Sequence, residues 1–226
     1  MQQLIPLQIR NHCFLLSAGR AVFWEAERTL MVSDLHFGKT GHFRKSGIAV
    51  PQNLFKEEMQ RFVLLLQYFK PVNLIVIGDM FHSHDNREHQ LFKKWRQDFG
   101  RLPIQLVMGN HDILEEHWYT QAGINTIKGQ LQVGSFSFVH DIKEVTMQDD
   151  FFYFSGHIHP SVNIGGVSKQ SLRFPCFYLT SKYAVLPAFG KFTGTYTVKP
   201  KKGDSVFAVL PADVKKGESA GLLKVH

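Results

Sequence analysis

The chain has 226 residues, 44% of them hydrophobic and 20% charged, a balance that excludes a disordered chain and suits one compact domain spanning 1–226. No stretch nears the ~18 apolar residues of a membrane helix, and Met1–Pro6 has no basic region leading into an apolar core, so no membrane association and a cytoplasmic location are expected. A formal net charge of +7 points to anionic partners, nucleic acid first, with ordinary surface variation as the alternative.

Residues 4–34 read as short strands around Leu7–Ile9, Cys13–Leu16 and Ala21–Trp24, separated by turn residues such as Ser17-Ala18-Gly19. The apolar run Thr29–Val32 follows and delivers Asp34 and His36. Residues two apart in an extended segment face the same side, so this pair can grip one ion. Residues 37–51 look like a long loop carrying Lys39, His42, Arg44 and Lys45. A solvated basic loop and a phosphate contact are equal readings there. The spacing of Leu54, Phe55, Met59, Phe62, Val63, Leu66 and Phe69 predicts a helix over about 52–69 with a purely structural apolar face.

Val72–Ile77 is a continuous apolar strand ending at Gly78-Asp79, with His82, His84 and His89 beyond it. A second amphipathic helix is predicted over 88–99. The run Ile104–Met108 reads as a buried strand and opens into Gly109-Asn110-His111-Asp112, where a glycine turn brings an amide, an imidazole and a carboxylate together. A short helix is predicted over 113–119. Strands and helices thus alternate to this point in a doubly wound α/β pattern, with polar residues at the strand ends. From Ile124 onward the chain turns to strands, around 131–133, 136–139, 151–154, 174–179, 183–186, 194–198 and 206–210. They are expected to form a second sheet packed on the first, because this half supplies His140-Asp141 and Gly156-His157-Ile158-His159. Basic turns near the C-terminus, around 199–204 and 215–221, read as solvated. Cys13 and Cys176 have no CxxC spacing and read as buried small hydrophobes.

Five strand ends therefore carry Asp34, His36, Asp79, Asn110, His140, His157 and His159, with His111 beside them. Carboxylates, an amide oxygen and imidazoles suit Mn²⁺, Fe or Zn²⁺ better than Ca²⁺ or Mg²⁺. Seven donors are too many for one ion and suit two, which can share a carboxylate and a water that loses its proton near neutral pH.

Taken in order, Asp-x-His, Gly-Asp, Gly-Asn-His-Asp, a lone His and Gly-His-x-His resemble the blocks of the calcineurin-like metallophosphoesterases. The resemblance implies a four-layer αββα sandwich, two mixed sheets flanked by helices. It implies that Asp34, His36 and His159 hold one metal, that Asp79 bridges, and that Asn110, His140 and His157 hold the second. His111 would face the leaving oxygen as general acid or phosphate stabiliser, and Asp112 would orient it by a hydrogen bond. The segments Ser33–Lys39, His42–Pro51 and Leu186–Gly194 further resemble the bacterial ligase-associated DNA-damage-response phosphoesterases, the PdeM group. That resemblance implies a Mn²⁺-dependent phosphodiesterase, a DNA endonuclease in repair alongside a ligase or helicase. Gly78–His82 is also similar to a block in recombination nucleases of the superfamily, which makes His82 a phosphate contact. Those larger nucleases carry an added DNA-binding domain for which this chain has no room. The rival activities are a phosphomonoesterase or small-nucleotide phosphodiesterase and, outside enzymes, an interaction module that keeps the fold. The remaining histidines, His12, His84, His89, His117 and His226, are assigned to the surface or to ordinary packing.

Overall fold

The apolar runs form strands because alternate side chains are buried on opposite faces. A computed structural model describes residues 3–45, 47, 53–82, 87–165, 171–212 and 219–226. Three antiparallel strands open the chain: β1 (Leu4–Ile9), β2 (His12–Ser17) and β3 (Ala21–Trp24). β4 (Thr29–Ser33) pairs antiparallel with β3. β5 (Asn73–Ile77), β6 (Ile104–Val107) and β7 (Ile124–Ile127) then continue the same sheet in parallel with β4. The crossovers carry α1 (Lys39–Lys45) and α2 (Leu54–Phe69), then α3 (Arg87–Asp98), then α4 (Glu116–Gln121).

The second sheet contains β8 (Gln130–Val133), β9 (Phe136–Val139), β10 (Phe152–Ser155), β11 (Pro160–Gly165), β12 (Ser171–Leu179), β13 (Tyr183–Val185), β14 (Tyr196–Thr197), β15 (Ser205–Leu210) and β16 (Gly221–Lys224). Its order is β14-β11-β12-β13-β10-β9-β8, with β15 pairing β12 and β16. β9 and β10 run parallel, so their carboxyl ends lie side by side.

Two apolar layers flank the first sheet. Leu30, Val32, Leu74 and Val76 pack with Phe55, Phe62 and Leu65 of α2, Phe92 of α3 and Trp118 of α4. The intervening Met31, Ile75 and Ile77 pack instead with Phe136, Phe138, Phe152, Phe154, Phe177 and Phe207 of the second sheet. This is the period-two alternation of strands buried on both sides. Each such aromatic contributes about 1.5–3 kcal/mol on burial, enough to hold the carboxyl ends of β4, β5 and β6 against those of β9 and β10. The expected pair of packed mixed sheets is thus observed, with α2, α3 and α4 on the first sheet. On the second sheet a smaller cluster forms around Cys176, Val198 and Val206.

Several local expectations are corrected. Residues 39–45 form a helix instead of a loop, because the buried Glu88 carboxylate accepts hydrogen bonds from Gly38 N–H, at 2.9 Å, and from the Thr40 hydroxyl. That cap comes from α3 and leaves no local signal. Residues 113–115 stay outside α4, since Asp112 holds its own loop back toward β5 and β6. The strand expected over 194–198 shrinks to the two residues of β14; β7, β11 and β16 are additional strands, and β7 joins the first sheet beside β6 instead of the second. The predicted helix start at 52 and His84 lie outside the described residues.

Candidate metal centre

All seven expected donors meet where the two sheets bring their parallel strand ends together. Asp34 and His36 follow β4, Asp79 follows β5 and Asn110 follows β6; His140 follows β9, while His157 and His159 follow β10. Asp34 and Asp79 are buried, at 0% and 2% exposure. The backbone at the rim is unusual. Asp34, His36, Asp79, His157 and His159 have φ of 50°, 51°, 41°, 67° and 48°. Side chains in this left-handed region cost about 1–3 kcal/mol each and persist where surrounding structure enforces them.

Two glycines permit the close approach. A Cβ on Gly78 would lie 1.7 Å from His140 Nδ1, and one on Gly156 would lie 2.4 Å from Asp34 Oδ2. Gly78 and Gly156 therefore each make room for a side chain from the opposite sheet, as Gly109 does for Asp79 of its own sheet.

The donors form two overlapping groups. Asp34, His36 and His159 offer ligand atoms within 4.8 Å of one another, and so do Asp34, Asp79 and His140. His159 Nε2 is 3.6 Å from Asp34 Oδ1, and His36 Nε2 is 3.8 Å from Asp79 Oδ2. His140 Nε2 is 3.6 Å from Asp79 Oδ1 and 3.1 Å from Asn110 Oδ1. Two imidazole pairs face each other through ring nitrogens: His36 and His159 at 3.2 Å, and His140 and His157 at 3.0 Å. His36 Nδ1 and His140 Nδ1 are buried without hydrogen-bond partners. Buried carboxylates and inward-facing imidazoles packed this closely need positive charge among them, and a mixed N/O donor set suits divalent transition metals.

Electrostatics agrees. Burial drives His36 well below the usual histidine range, helped by Lys39 and the neighbouring histidines, so its ring is neutral as a ligand must be. Burial works against charge on His159 too, but its contact with Asp34 and the Gly194 carbonyl outweigh it and raise the pKa. Lys39 is half-buried and lowered by that burial, while Asp79 and Asp34 pull it back up.

His111 is tied to the centre through its backbone, whose N–H donates to Asp79 Oδ1 at 2.9 Å. Its ring lies 4.5 Å from His82 and 5.5 Å from His36, centroid to centroid. The expected hydrogen bond between His111 and Asp112 is replaced by another arrangement. Asp112 Oδ1 accepts from Phe81 N–H and Oδ2 from Gly109 N–H, both at 2.9 Å. Asp112 thereby fixes the loop that carries Asn110 and His111. Burial pushes its carboxyl up to about 7 against the pull of the Gly109, Phe81 and Met80 N–H groups.

The second-tier residues divide. His82 reaches the site, with its Nδ1 buried. Lys39 reaches it from α1. Arg44 is exposed on the same helix. His42 and Lys45 lie on α1, but their side chains fall outside the described residues. Of the histidines set aside, His89 is buried against the Phe37 carbonyl at 3.1 Å, and His12 accepts from Trp24 Nε1–H at 3.1 Å. His117 sits beside Glu115 on the surface, and His226 bonds the Lys201 carbonyl.

Two supporting contacts come from segments that the sequence singles out without showing what they touch. Asp141 Oδ2 stands 3.6 Å from His157 Nε2, and the Gly194 carbonyl accepts from His159 Nδ1–H at 2.8 Å. Both stand behind imidazoles of the candidate centre, a placement that composition and spacing cannot reveal.

The model of the family described as calcineurin-like phosphoesterase matches residues 27–183. No curated protein matches the chain. Among solved structures it is similar to the nuclease MPE of Pseudomonas putida, with 25% identity and a TM-score of 0.77 over 91% of this chain and 96% of that one. It also aligns with YfcE, a phosphoesterase from E. coli, at 12% identity and a TM-score of 0.41, covering 88% of this chain and 99% of that one.

Proposed function

The chain belongs to the calcineurin-like phosphoesterases and is thus a hydrolase acting on phosphoester bonds, and on that premise we propose that it is a two-metal phosphodiesterase that cuts nucleic acid. The observation carrying this reading is the convergence of seven candidate donors from five strand ends, five of which form two ligand groups around Asp34, with Asp79 reaching both sides, 3.8 Å from His36 and 3.6 Å from His140. Asp34, His36 and His159 would hold one ion. Asp79 would lie between the two, and Asn110, His140 and His157 would complete the second set. When bound, such ions neutralise charge on a phosphoryl group and lower the pKa of a water near it. Mn²⁺ suits this mixture of carboxylate, amide and imidazole, with Fe or Zn²⁺ as the other candidates.

The protein's own groups supply the rest. His111, held over the centre by its backbone bond to Asp79, would give a proton to the leaving oxygen. Asp112 keeps that loop in place through Gly109 and Phe81. His82 and Lys39 would contact phosphate oxygens next to the centre. The net charge of +7 favours a polyanionic substrate, and the nuclease among the similar structures supports the same class. No helix of the described residues is long and apolar enough to cross a membrane. A single domain, a cytoplasmic place and a DNA-repair role beside a ligase or helicase complete the proposal, the last resting on resemblance to the PdeM group.

The test is Mn²⁺-dependent hydrolysis of an aryl phosphodiester and of the matching monoester, followed by circular single-stranded DNA, with His111→Ala as control. The expected result is a diester preference lost in the variant, and cleavage of the circle. Monoester preference with intact DNA would move the activity to a phosphatase.

A further inference from the structure

Residues 187–194 form a strap across the first ligand group. Phe189 N–H donates to the Ser33 carbonyl at 2.8 Å and Gly190 N–H to the Asp34 carbonyl at 3.0 Å. Ala188 forms a parallel bridge with Ser33. Gly190 approaches so closely that a Cβ there would lie 2.8 Å from the Leu35 carbonyl. At the strap's far end, the Gly194 carbonyl accepts from His159 Nδ1–H at 2.8 Å. A proton held on Nδ1 leaves the Nε2 lone pair facing Asp34 and His36.

Three charged side chains that the mechanism does not use hold the strap from behind. Arg20, in the turn between β2 and β3, donates from Nη1 to the Ala188 carbonyl at 3.1 Å and the Gly190 carbonyl at 3.2 Å. Arg61 of α2 donates to the Phe189 carbonyl, and its guanidinium lies 4.1 Å above the Phe189 ring. Glu58 of the same helix accepts from Lys191 N–H at 2.6 Å and is 4% exposed. Burial lowers Arg61 to about 9 and Arg20 to about 10 and raises Glu58, with opposite charges in the cluster working against each shift. Glu58 is buried and the two arginines are partly buried, and charged groups are rarely drawn inward unless they hold something specific. Among the described residues, the side-chain hydrogen bonds of all three run to the strap's backbone.

We propose that Arg20, Glu58 and Arg61 are positioning residues for the first metal, pressing the strap onto Asp34 and holding the Gly194 carbonyl where it fixes the His159 ring. This inference rests on the two-metal reading.

The experiment titrates Mn²⁺ into metal-free full-length protein by calorimetry, and records the visible absorption of the Co²⁺-loaded form, for the wild type, Arg20→Met, Arg20→Lys and Gly190→Ala. Circular dichroism establishes folding in each. The wild type should take two ions. Arg20→Met and Gly190→Ala should each weaken one of the two by about 10–100-fold, affect the other less, since Asp34 borders both ligand groups, and change the Co²⁺ bands. Arg20→Lys should recover part of the loss, since an ammonium can also donate to carbonyls. Equal weakening of both ions, or none, in folded variants would overturn the strap's role. Should Arg20→Met fail to fold, Gly190→Ala, which leaves the charged cluster intact, decides alone. Fewer than two ions in the wild type would overturn the two-metal reading itself, and the inference with it.

Discussion

Asp141 stands behind His157, with its Oδ2 3.6 Å from Nε2, while the opposite ring nitrogen, Nδ1, lies 3.0 Å from His140 Nε2. The other carboxylate oxygen of Asp141 accepts from Lys143 N–H at 3.0 Å and caps a short 3₁₀ turn. Asparagine caps such turns as well as aspartate does. In Asp141→Asn the oxygen can keep the cap, but the amide then presents N–H to the Nε2 side of His157. Thermal stability should stay close to wild type, while affinity for the ion held by His157 falls about 10–100-fold. Parallel melting curves and Mn²⁺ titrations measure both, and unchanged affinity would exclude an orienting role for Asp141.

Gly78→Ala should be severe. The position has φ +75° and the new methyl would lie 1.7 Å from His140 Nδ1. A left-handed alanine alone costs about 1–2 kcal/mol, and displacing a packed ring adds to it. A chain of this size loses about 2–4 °C of Tm per kcal/mol, so a drop of at least about 4 °C is expected, with loss of the metal group that contains His140. Gly165→Ala is the control, since nothing lies within 4 Å of its Cβ position. Differential scanning calorimetry of the two variants makes the comparison.

Asp79→Asn removes one negative charge from the middle of the centre while leaving shape nearly unchanged. Asp79 Oδ1 also accepts from His111 N–H, and the amide oxygen of asparagine can still do so. Metal affinity should fall by more than about 100-fold, beyond the effect of losing a supporting group, with the His111 loop still in place. Equilibrium dialysis against Mn²⁺ reads the first expectation. Full occupancy at wild-type affinity would show that Asp79 does not contact the ions.

His111→Ala should lower kcat by about 10²–10⁴-fold, the range for losing a general acid, while leaving Mn²⁺ binding unchanged. The ring is close to His82 and His36 without belonging to either ligand group. A diester with a strongly acidic leaving phenol needs no proton, so the defect should shrink on that substrate. A defect of equal size on good and poor leaving groups would assign His111 to phosphate binding instead.

Thiol chemistry gives a pH test. Burial pushes Cys176 up to about 12. A hydrogen bond to Glu25, with burial and that carboxylate's charge, raises Cys13. The raised values keep both sulfurs as thiols at pH 8, and the thiolate is the reactive form. Native protein should alkylate slowly at Cys13 and not measurably at Cys176, and moving to pH 9.5 should speed Cys13 alone. Unfolding should release both. Peptide mass mapping after timed iodoacetamide treatment separates the sites.

Much of the centre was legible in the sequence because its ligands follow apolar strands directly. The run Val72–Ile77 announces both the strand and the place where Asp79 must emerge, and Ile104–Val107 does the same for Asn110. The gathering of all seven donors follows from parallel pairing, which aligns carboxyl ends. What the sequence concealed depends on contacts across the fold. Helix α1 is capped by Glu88, 48 residues from Thr40, so the local run around Gly41 reads as a loop. Asp112 adjoins His111 in sequence, yet its carboxylate turns to Phe81 and Gly109, which only tertiary packing could decide. Glu58 and Arg61 look like ordinary polar positions on an amphipathic helix. Their burial follows from the strap crossing over them, 133 residues away at Lys191.

The left-handed rim has a further consequence for how the protein could change over evolutionary time. Asp34, His36, Asp79, His157 and His159 each occupy backbone that glycine would adopt with less strain. Selection for stability alone would therefore erode these five positions, and only selection for the chemistry opposes that drift. A laboratory lineage selected for heat resistance, with no demand for catalysis, should lose residues here before it loses the phenylalanine wall between the sheets.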